Sequence, residues 1–412
     1  MRIVSVLLAS TFLAACGGAG VQSAGSSATA SGSSTGASAT PTAAHTFVAP
    51  TEVKTYSAIG GVHSYQYTTN DLDSDPLTAG TQSASQQYNQ LYAGDATTAR
   101  NSGITITYNP RDAIFDVVTK QPLAGVDNTL RFQDPVHRTD FGGARSPQAG
   151  VPNLSTQGVN YLQAGSASGT AALDPSQPGN FPTGNDGFRS STSTFFYQKP
   201  GTTTSFVTFA GFVRNAINIA SVTPVGSTTS YLEQNYTLER GAFVYGERTN
   251  SASVPRTGTG TFNGAMIATL VYNNLLDTDR GTPTYFQWLN GTSATTVDFA
   301  ANTFSLSLNG TVATPFFDNY TSRVFTIQNG ATFSATGAGR VDLVNAGGFL
   351  GNFSNVFFTQ PDSTRLNLLI GGSSIDGTFF GPTAQEVGGG FRIVGGVPDE
   401  RIDILGAFTG KR

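Results

Sequence analysis

The chain has 412 residues, with 22 Lys or Arg against 26 Asp or Glu, a formal net charge of −4 at neutral pH, and one cysteine. So weak a negative charge favours neither phosphate backbones nor anionic lipid surfaces, and nucleic acid is not expected as a partner. A lone cysteine excludes an internal disulfide, so stability must come from buried core, for which the length is ample.

Residues 1–16 read as a secretory signal: Arg2, an apolar run over 3–12, then Leu13-Ala14-Ala15-Cys16. About ten apolar residues are too few to cross a bilayer. The leader resembles the bacterial lipoprotein signal, which implies that Cys16 is acylated, becomes the first residue on cleavage and is acylated again. Two or three acyl chains anchor durably where a single chain is marginal. Gly17, in place of an aspartate after the cysteine, implies sorting to the outer membrane, with either face open. Residues 17–49 read as a tether: of the 28 residues in 17–44, 25 are Gly, Ala, Ser or Thr and none is charged. Such a segment behaves as a coil with a root-mean-square span of roughly 30 Å. Gly32-Ser33-Ser34-Thr35-Gly36 fits the hydrolase pattern G-x-S-x-G, but in a coil it lacks the strand and helix that a nucleophile elbow needs.

Residues 50–255 read as a β-rich handle domain with long loops. Strands are expected over 104–108, 113–118, 194–197, 205–213 and 236–245, where β-branched and aromatic residues alternate or run together. Segment 140–187, rich in Gly, Pro, Ser and Asn, is expected to be an exposed insertion and a candidate ligand-binding segment. Asp71-Leu72-Asp73-Ser74-Asp75 imitates the start of a calcium loop, yet Pro76 replaces the needed glycine and Gln82 the final glutamate. His45, His63 and His137 lie far apart without metal-ligand spacing and are expected at solvated surface. Haem ligation through His63, His137 or a tyrosine is the functional alternative. No metal site and no cofactor are expected.

Residues 256–412 read as a closed barrel or a sandwich. Strands are expected at about ten-residue spacing over 259–272, 284–289, 295–299, 303–309, 323–328, 339–344, 349–358, 366–370, 375–380, 389–394 and 402–408. Glycines inside them, such as Gly264 and Gly351, mark the bends that closure requires.

Within this part Gly377, Phe379, Gly381, Pro382, Ala384, Glu386, Gly388, Gly389 and Phe391 fall in the pattern G-x-F-x-G-P-x-A-x-E-x-G-G-x-F. The segment resembles the barrel signature of the transferrin-binding protein B family of bacterial surface lipoproteins. The ending Gly406-Ala407-Phe408-Thr409-Gly410-Lys411-Arg412 resembles the family ending G-x-F-G-A-K-R, with Thr-Gly in place of Gly-Ala. Thr257-Gly258-Thr259-Gly260-Thr261-Phe262-Asn263-Gly264 looks like the first barrel strand and Val297-Asp298-Phe299 like a later one, while the handle is matched only loosely, through Phe243-Val244-Tyr245-Gly246. The length suits one handle-plus-barrel lobe where the family has two.

The resemblance implies an all-β protein, a β-rich handle domain followed by a C-terminal eight-stranded antiparallel β-barrel. It also implies a binding function: capture of an iron-carrier protein, haem or a small solute, and delivery to a TonB-dependent transporter. The alternative is a surface adhesin or partner-protein-binding lipoprotein without a transport role. No enzyme is expected, because no nucleophile, base and orienter occur together. Glu386 lacks a second titratable group in sequence reach and is expected to accept backbone hydrogen bonds near it; Pro382 sets the turn and Gly388 to Gly390 let the next strand pack closely.

Overall fold

The computed structural model describes residues 51–70, 83–88, 102–120, 127–133, 150–154, 158–168, 187–223, 225–228, 230–273, 284–314, 327–397 and 400–412. The signal and tether, His45 and His137, the Asp71 to Asp75 run and most of the strand expected at 323–328 lie outside these residues. Among the described residues there is no α-helix, only one 3-10 turn at Ser251–Ser253.

The part expected as the handle contains β1 (Lys54–Ser57), β2 (Ile59–Asn70), β3 (Ser83–Tyr88), β4 (Thr105–Asn109), β5 (Ile114–Lys120), β6 (Asp127–Gln133), β7 (Val159–Ser168), β8 (Arg189–Gln198), β9 (Val207–Val222) and β10 (Tyr231–Gly246). They form two antiparallel sheets, ordered β1-β4-β5-β6 and β3-β2-β10-β9-β8-β7. Side chains alternate across a pleated strand, so a sheet covered on both faces must be apolar throughout. The central sheet meets that condition: every residue of β9 from Val207 to Val213 is buried. One face packs Phe195, Phe212 and Phe243 against Ile106, Phe115, Val117 and Phe132 of the smaller sheet. The other packs Ile59, Phe196, Val207 and Val244 against Ile267, Trp288, Phe380 and Ala407 of the C-terminal part.

That part contains β11 (Thr259–Asn273), β12 (Thr284–Asp298), β13 (Thr303–Val312), β14 (Thr332–Asp342), β15 (Gly348–Thr359), β16 (Arg365–Asn367), β17 (Leu369–Phe380), β18 (Glu386–Val397) and β19 (Glu400–Lys411). Strands β11 to β15 pair in succession, β15 pairs β17, β17 pairs β18, and β18 pairs β19. Strand β19 pairs back onto β11 and closes an eight-stranded antiparallel barrel, with short β16 attached to the far half of β15. The fold is all-β, as expected. Phe262, Leu270, Phe304, Leu306, Phe333, Phe349, Phe391 and Phe408 fill the interior, as side chains do in a barrel of this strand number.

Two expectations about elements need correction. Strand β7 lies inside the segment expected to be an exposed insertion, at the edge of the central sheet, with Leu162 buried. Residues 150–154 of the same segment run against the barrel, where Leu154 is buried in the shared core. The strands expected at 284–289 and 295–299 are one, β12. Asn290-Gly291 reads as a hairpin turn, but Gly291 faces Gly310 of β13, and a Cβ on Gly291 would lie 2.0 Å from the Asn309 carbonyl oxygen. The glycine permits a close crossing of two strands, not a reversal.

Candidate functional site

Strands β18 and β19 are buried along almost their whole length, inward by the barrel core and outward by the handle. The family-like segment Gly377 to Phe391 lies on this wall. Phe379 turns inward, with ring centroids 5.7 Å from Phe299 and 5.5 Å from Phe349, and Phe380 turns outward into the core shared with the handle. Gly377 makes room for the Phe349 ring, whose nearest atom is 2.0 Å from where a Cβ would sit.

Pro382 occupies the exposed turn between β17 and β18, entered through Gly381 at φ +86° and left through Ala384 at +61°. The chain leaving β10 pairs with this corner. Gly381 N donates to Glu247 O (2.9 Å), Thr249 N to Phe379 O (2.9 Å) and Thr249 Oγ1 to Gly381 O (2.5 Å). Gly388 lies under Val207, so close that a Cβ would be 2.8 Å from its methyl; Gly389 crosses the β17 backbone at Asp376. Gly406 accommodates the Phe391 ring, and Phe391 and Phe408 both enter the barrel core.

Glu386 is 1% exposed. Its Oε1 accepts from Ser205 N (2.6 Å), and its Oε2 accepts from Phe206 N (2.7 Å) and Val207 N (3.1 Å). Three consecutive amides converging on an anion form a nest, and charge-assisted bonds of this kind are roughly twice as strong as neutral ones. The expectation that Glu386 accepts backbone hydrogen bonds holds, but its donors lie about 180 residues away in the handle. Lys411, its register partner on β19, is exposed, and Arg412 N donates to Gln385 O (3.1 Å).

A polar cluster sits deeper in the joint. His63 of β2 is not at solvated surface, as expected from sequence, but 1% exposed. Its Nδ1 lies 2.7 Å from Thr269 Oγ1 of β11, and its Nε2 makes a bent 3.1 Å contact with Asp403 Oδ1 of β19. Arg392 of β18 grips the same carboxylate, Nε donating to Oδ1 (3.1 Å) and Nη2 to Oδ2 (2.7 Å). Burial pushes His63 below its ordinary value, Asp403 pulls it up, and Arg392 and Arg401 push it down again. Burial alone would raise Asp403, but His63 and then the doubly bonded Arg392 hold its carboxyl well below the usual range. Burial thus favours the neutral imidazole, which shares a hydrogen bond with the Thr269 hydroxyl through Nδ1 and turns Nε2 towards Asp403.

Hydroxyl, imidazole and carboxylate here are the residue types of an acyl-transfer triad. All three are sealed between handle and barrel, and Thr269 Oγ1 also faces Leu405 O at 3.3 Å. In this setting they fasten two folded parts together. Beside them Arg240 of β10, the register partner of His63, is 1% exposed, with its guanidinium carbon 5.5 Å from the Phe286 ring centre. Trp288 of β12 donates from Nε1 to Gly150 O (2.7 Å) across the joint and meets the Phe196 ring edge-on.

Sequence reasoning misplaced His63 and missed Thr269, Asp403, Arg392, Arg240 and Trp288. One signal was present: Arg392 and Asp403 interrupt the apolar runs GGGFRIV and RIDILGAF, and a charge inside a strand apolar on both faces needs a buried partner. Among the described residues no group of three or more His, Cys, Asp or Glu is placed to hold a metal ion.

The family described as the C-lobe and N-lobe β-barrels of transferrin-binding protein B matches residues 254–412. Similar solved structures include a transferrin-binding protein B from Haemophilus parasuis Hp5, at 13% identity over 88% of this chain and 77% of that one, with a TM-score of 0.28. Another, from serogroup B Neisseria meningitidis, is 12% identical over 88% and 77%, with a TM-score of 0.21. No curated protein matches the chain. The matched residues begin just before β11 and include every strand of the barrel, so it is the barrel part of the chain that is similar to the β-barrels of transferrin-binding protein B.

Proposed function

We propose that the protein is a lipid-anchored outer-membrane binding protein, exposed at the cell surface, that captures an iron carrier, haem or another solute and passes it to a TonB-dependent transporter. Residues 1–16 are its leader, 17–49 its tether, 50–255 its handle and 256–412 its barrel, with Cys16 carrying the lipid. The observation that carries the reading is the family match of the barrel over residues 254–412. The chemistry is recognition: a filled barrel fastened to two packed sheets is a stiff support, and contact is made by loops projecting from it. Gly377, Phe379, Gly381, Pro382, Ala384, Glu386, Gly388, Gly389, Phe391, Gly406, Phe408, Lys411 and Arg412 serve this architecture rather than the ligand.

The test is purification of the full chain from detergent-solubilised membranes. Mass spectrometry of the N-terminal peptide should find acyl chains on Cys16, and iron-loaded carrier proteins and haem should be retained, with a β-barrel transporter co-purifying. Retention of a soluble protein carrying no iron, with no transporter, overturns the transport role in favour of an adhesin. An unmodified Cys16 overturns the anchor.

A further inference from the structure

We propose that the end of the molecule carrying the short turns is a lipid-facing surface, whose cations rest on the phosphate-bearing headgroups of the membrane to which the tether leads. The inference rests on the lipid-anchor reading above and names the face that the anchored body turns to that membrane.

The pairing registers place one set of chain reversals on a single rim of the barrel. Asp298 faces both Thr259 and Thr303, Thr303 faces Arg340, Asp342 faces Gly348, and Glu386 faces Lys411. The reversals after β12, β14 and β17 therefore share one end with Lys411 and Arg412. The handle ends there too: Arg248 bridges Phe380, Gly246 faces Val207, and Lys54 at the start of β1 is paired with Glu247. By sequence, residues 17–49 lead through Thr51 into this same end, where Arg248 Nη2 donates to Ser57 O (3.1 Å).

Lys199, Arg248, Arg256, Arg340, Lys411 and Arg412 are exposed at this end, as is Arg111, which holds Asp112 at 2.9 Å. Elsewhere, among the described side chains, only Arg131, Arg189 and Arg365 are cations of that exposure class. The carboxylates of the turn end are engaged by the body itself: Glu247 by Lys54, Asp298 by the amides of Ala300 and Ala301, Asp342 by Asn345 and Arg340, and Glu386 by its nest. Glu52 is the one side-chain carboxylate among the described residues there that is exposed. The net charge of −4 gives no reason to expect an anionic surface as partner, but its distribution does. Each Lys or Arg at an anionic membrane surface strengthens attachment about fivefold, and the attraction decays within a Debye length. A tether raises the effective concentration to about millimolar, so a contact too weak to hold a free protein suffices to set which end faces the lipid.

The experiment uses the mature chain, residues 16–412, with Cys16→Ser, which no lipid can modify, and vesicles of phosphatidylcholine alone or mixed equally with phosphatidylglycerol. Cys16 is the only cysteine, so a polarity-sensitive dye can be placed on a single introduced thiol. One position is Val344→Cys, 89% exposed in the reversal after β14; the other is Val225→Cys, exposed in the reversal between β9 and β10 at the opposite end. The expected result is sedimentation with the mixed vesicles only, lost at high salt, with a blue shift of the dye at Val344 and none at Val225. Arg256→Gln combined with Lys411→Gln should weaken attachment about twenty-five-fold, and Arg189→Gln should leave it unchanged. Equal attachment to neutral vesicles, no attachment to mixed ones, a shift at Val225, or an undiminished double variant overturns the proposal. The chain tested carries no lipid, so failure here leaves acylation of Cys16 and ligand capture standing.

Discussion

Replacing Glu386 by alanine removes the acceptor of three handle amides at once. Val207 is fully buried, while Ser205 and Phe206 are half-exposed and can turn to water. An orphaned buried donor costs about 1–3 kcal/mol, so one stranded amide, two partly hydrated amides and three lost charge-assisted bonds together predict about 3–5 kcal/mol. Glu386→Gln keeps one acceptor oxygen but turns an NH2 group toward N–H donors, and about 2–3 kcal/mol is expected. The control is Lys411→Ala. If Glu386 mattered as a cross-strand ion pair with this exposed lysine, both variants would behave alike, whereas an exposed pair accounts for at most about 1 kcal/mol. Urea unfolding of the full chain, followed by Trp288 fluorescence, measures all three; at a slope near 3 kcal/mol per molar, the alanine variant should lose at least about 1 M of midpoint. A loss below about 1 kcal/mol in Glu386→Ala, or an equal loss in Lys411→Ala, refutes the nest as the source of the coupling.

Asp403→Ala removes the carboxylate that Arg392 grips through Nε and Nη2 and should cost about 3–5 kcal/mol by thermal or urea unfolding, because it breaks a buried pair by removing one partner. The Asp403 carboxyl is depressed in the folded protein, so its contribution is fully present above about pH 3.9, the unfolded carboxylate value, and is lost as pH falls below it. The wild type should therefore lose more stability than the variant between pH 4 and 3. Gly406→Ala places a Cβ 2.3 Å from the Phe391 ring and 2.6 Å from the Ala268 methyl, and overpacking of this kind predicts a loss of about 1–3 kcal/mol in the same assay. An unchanged midpoint would mean that the wall shifts freely.

What was legible in the sequence is what side-chain pattern encodes locally. The aromatic and glycine spacing of residues 257–412 pointed to an all-β barrel or sandwich, the family-like segment at residues 377–391 implied the barrel, and the inward and outward turns of Phe379 and Phe380 follow from simple alternation. The joint was not legible because its partners are remote or carry no side-chain signal. Glu386 binds amides of Ser205 to Val207, which any sequence would offer, and His63 is matched to residues more than 200 positions away. Strand β7 was hidden for a different reason: its sequence VNYLQAGSAS holds only small and polar residues after Leu162, and it is an edge strand recruited by β8. Asn290-Gly291 misled because the same dipeptide serves a hairpin and a close crossing equally well.

The pairing of β11 with β19 has a consequence for how the molecule is made. The stave that completes the cylinder is Glu400–Lys411, the last of the barrel strands, paired with the first, Thr259–Asn273. During synthesis, every other barrel strand must emerge before the ring of hydrogen bonds can be finished, and the cost of bringing such distant segments together delays collapse further. A barrel of this design stays open until β19 has been made, and a truncation that removes β19 leaves two unpaired edges for proteases and aggregation to find.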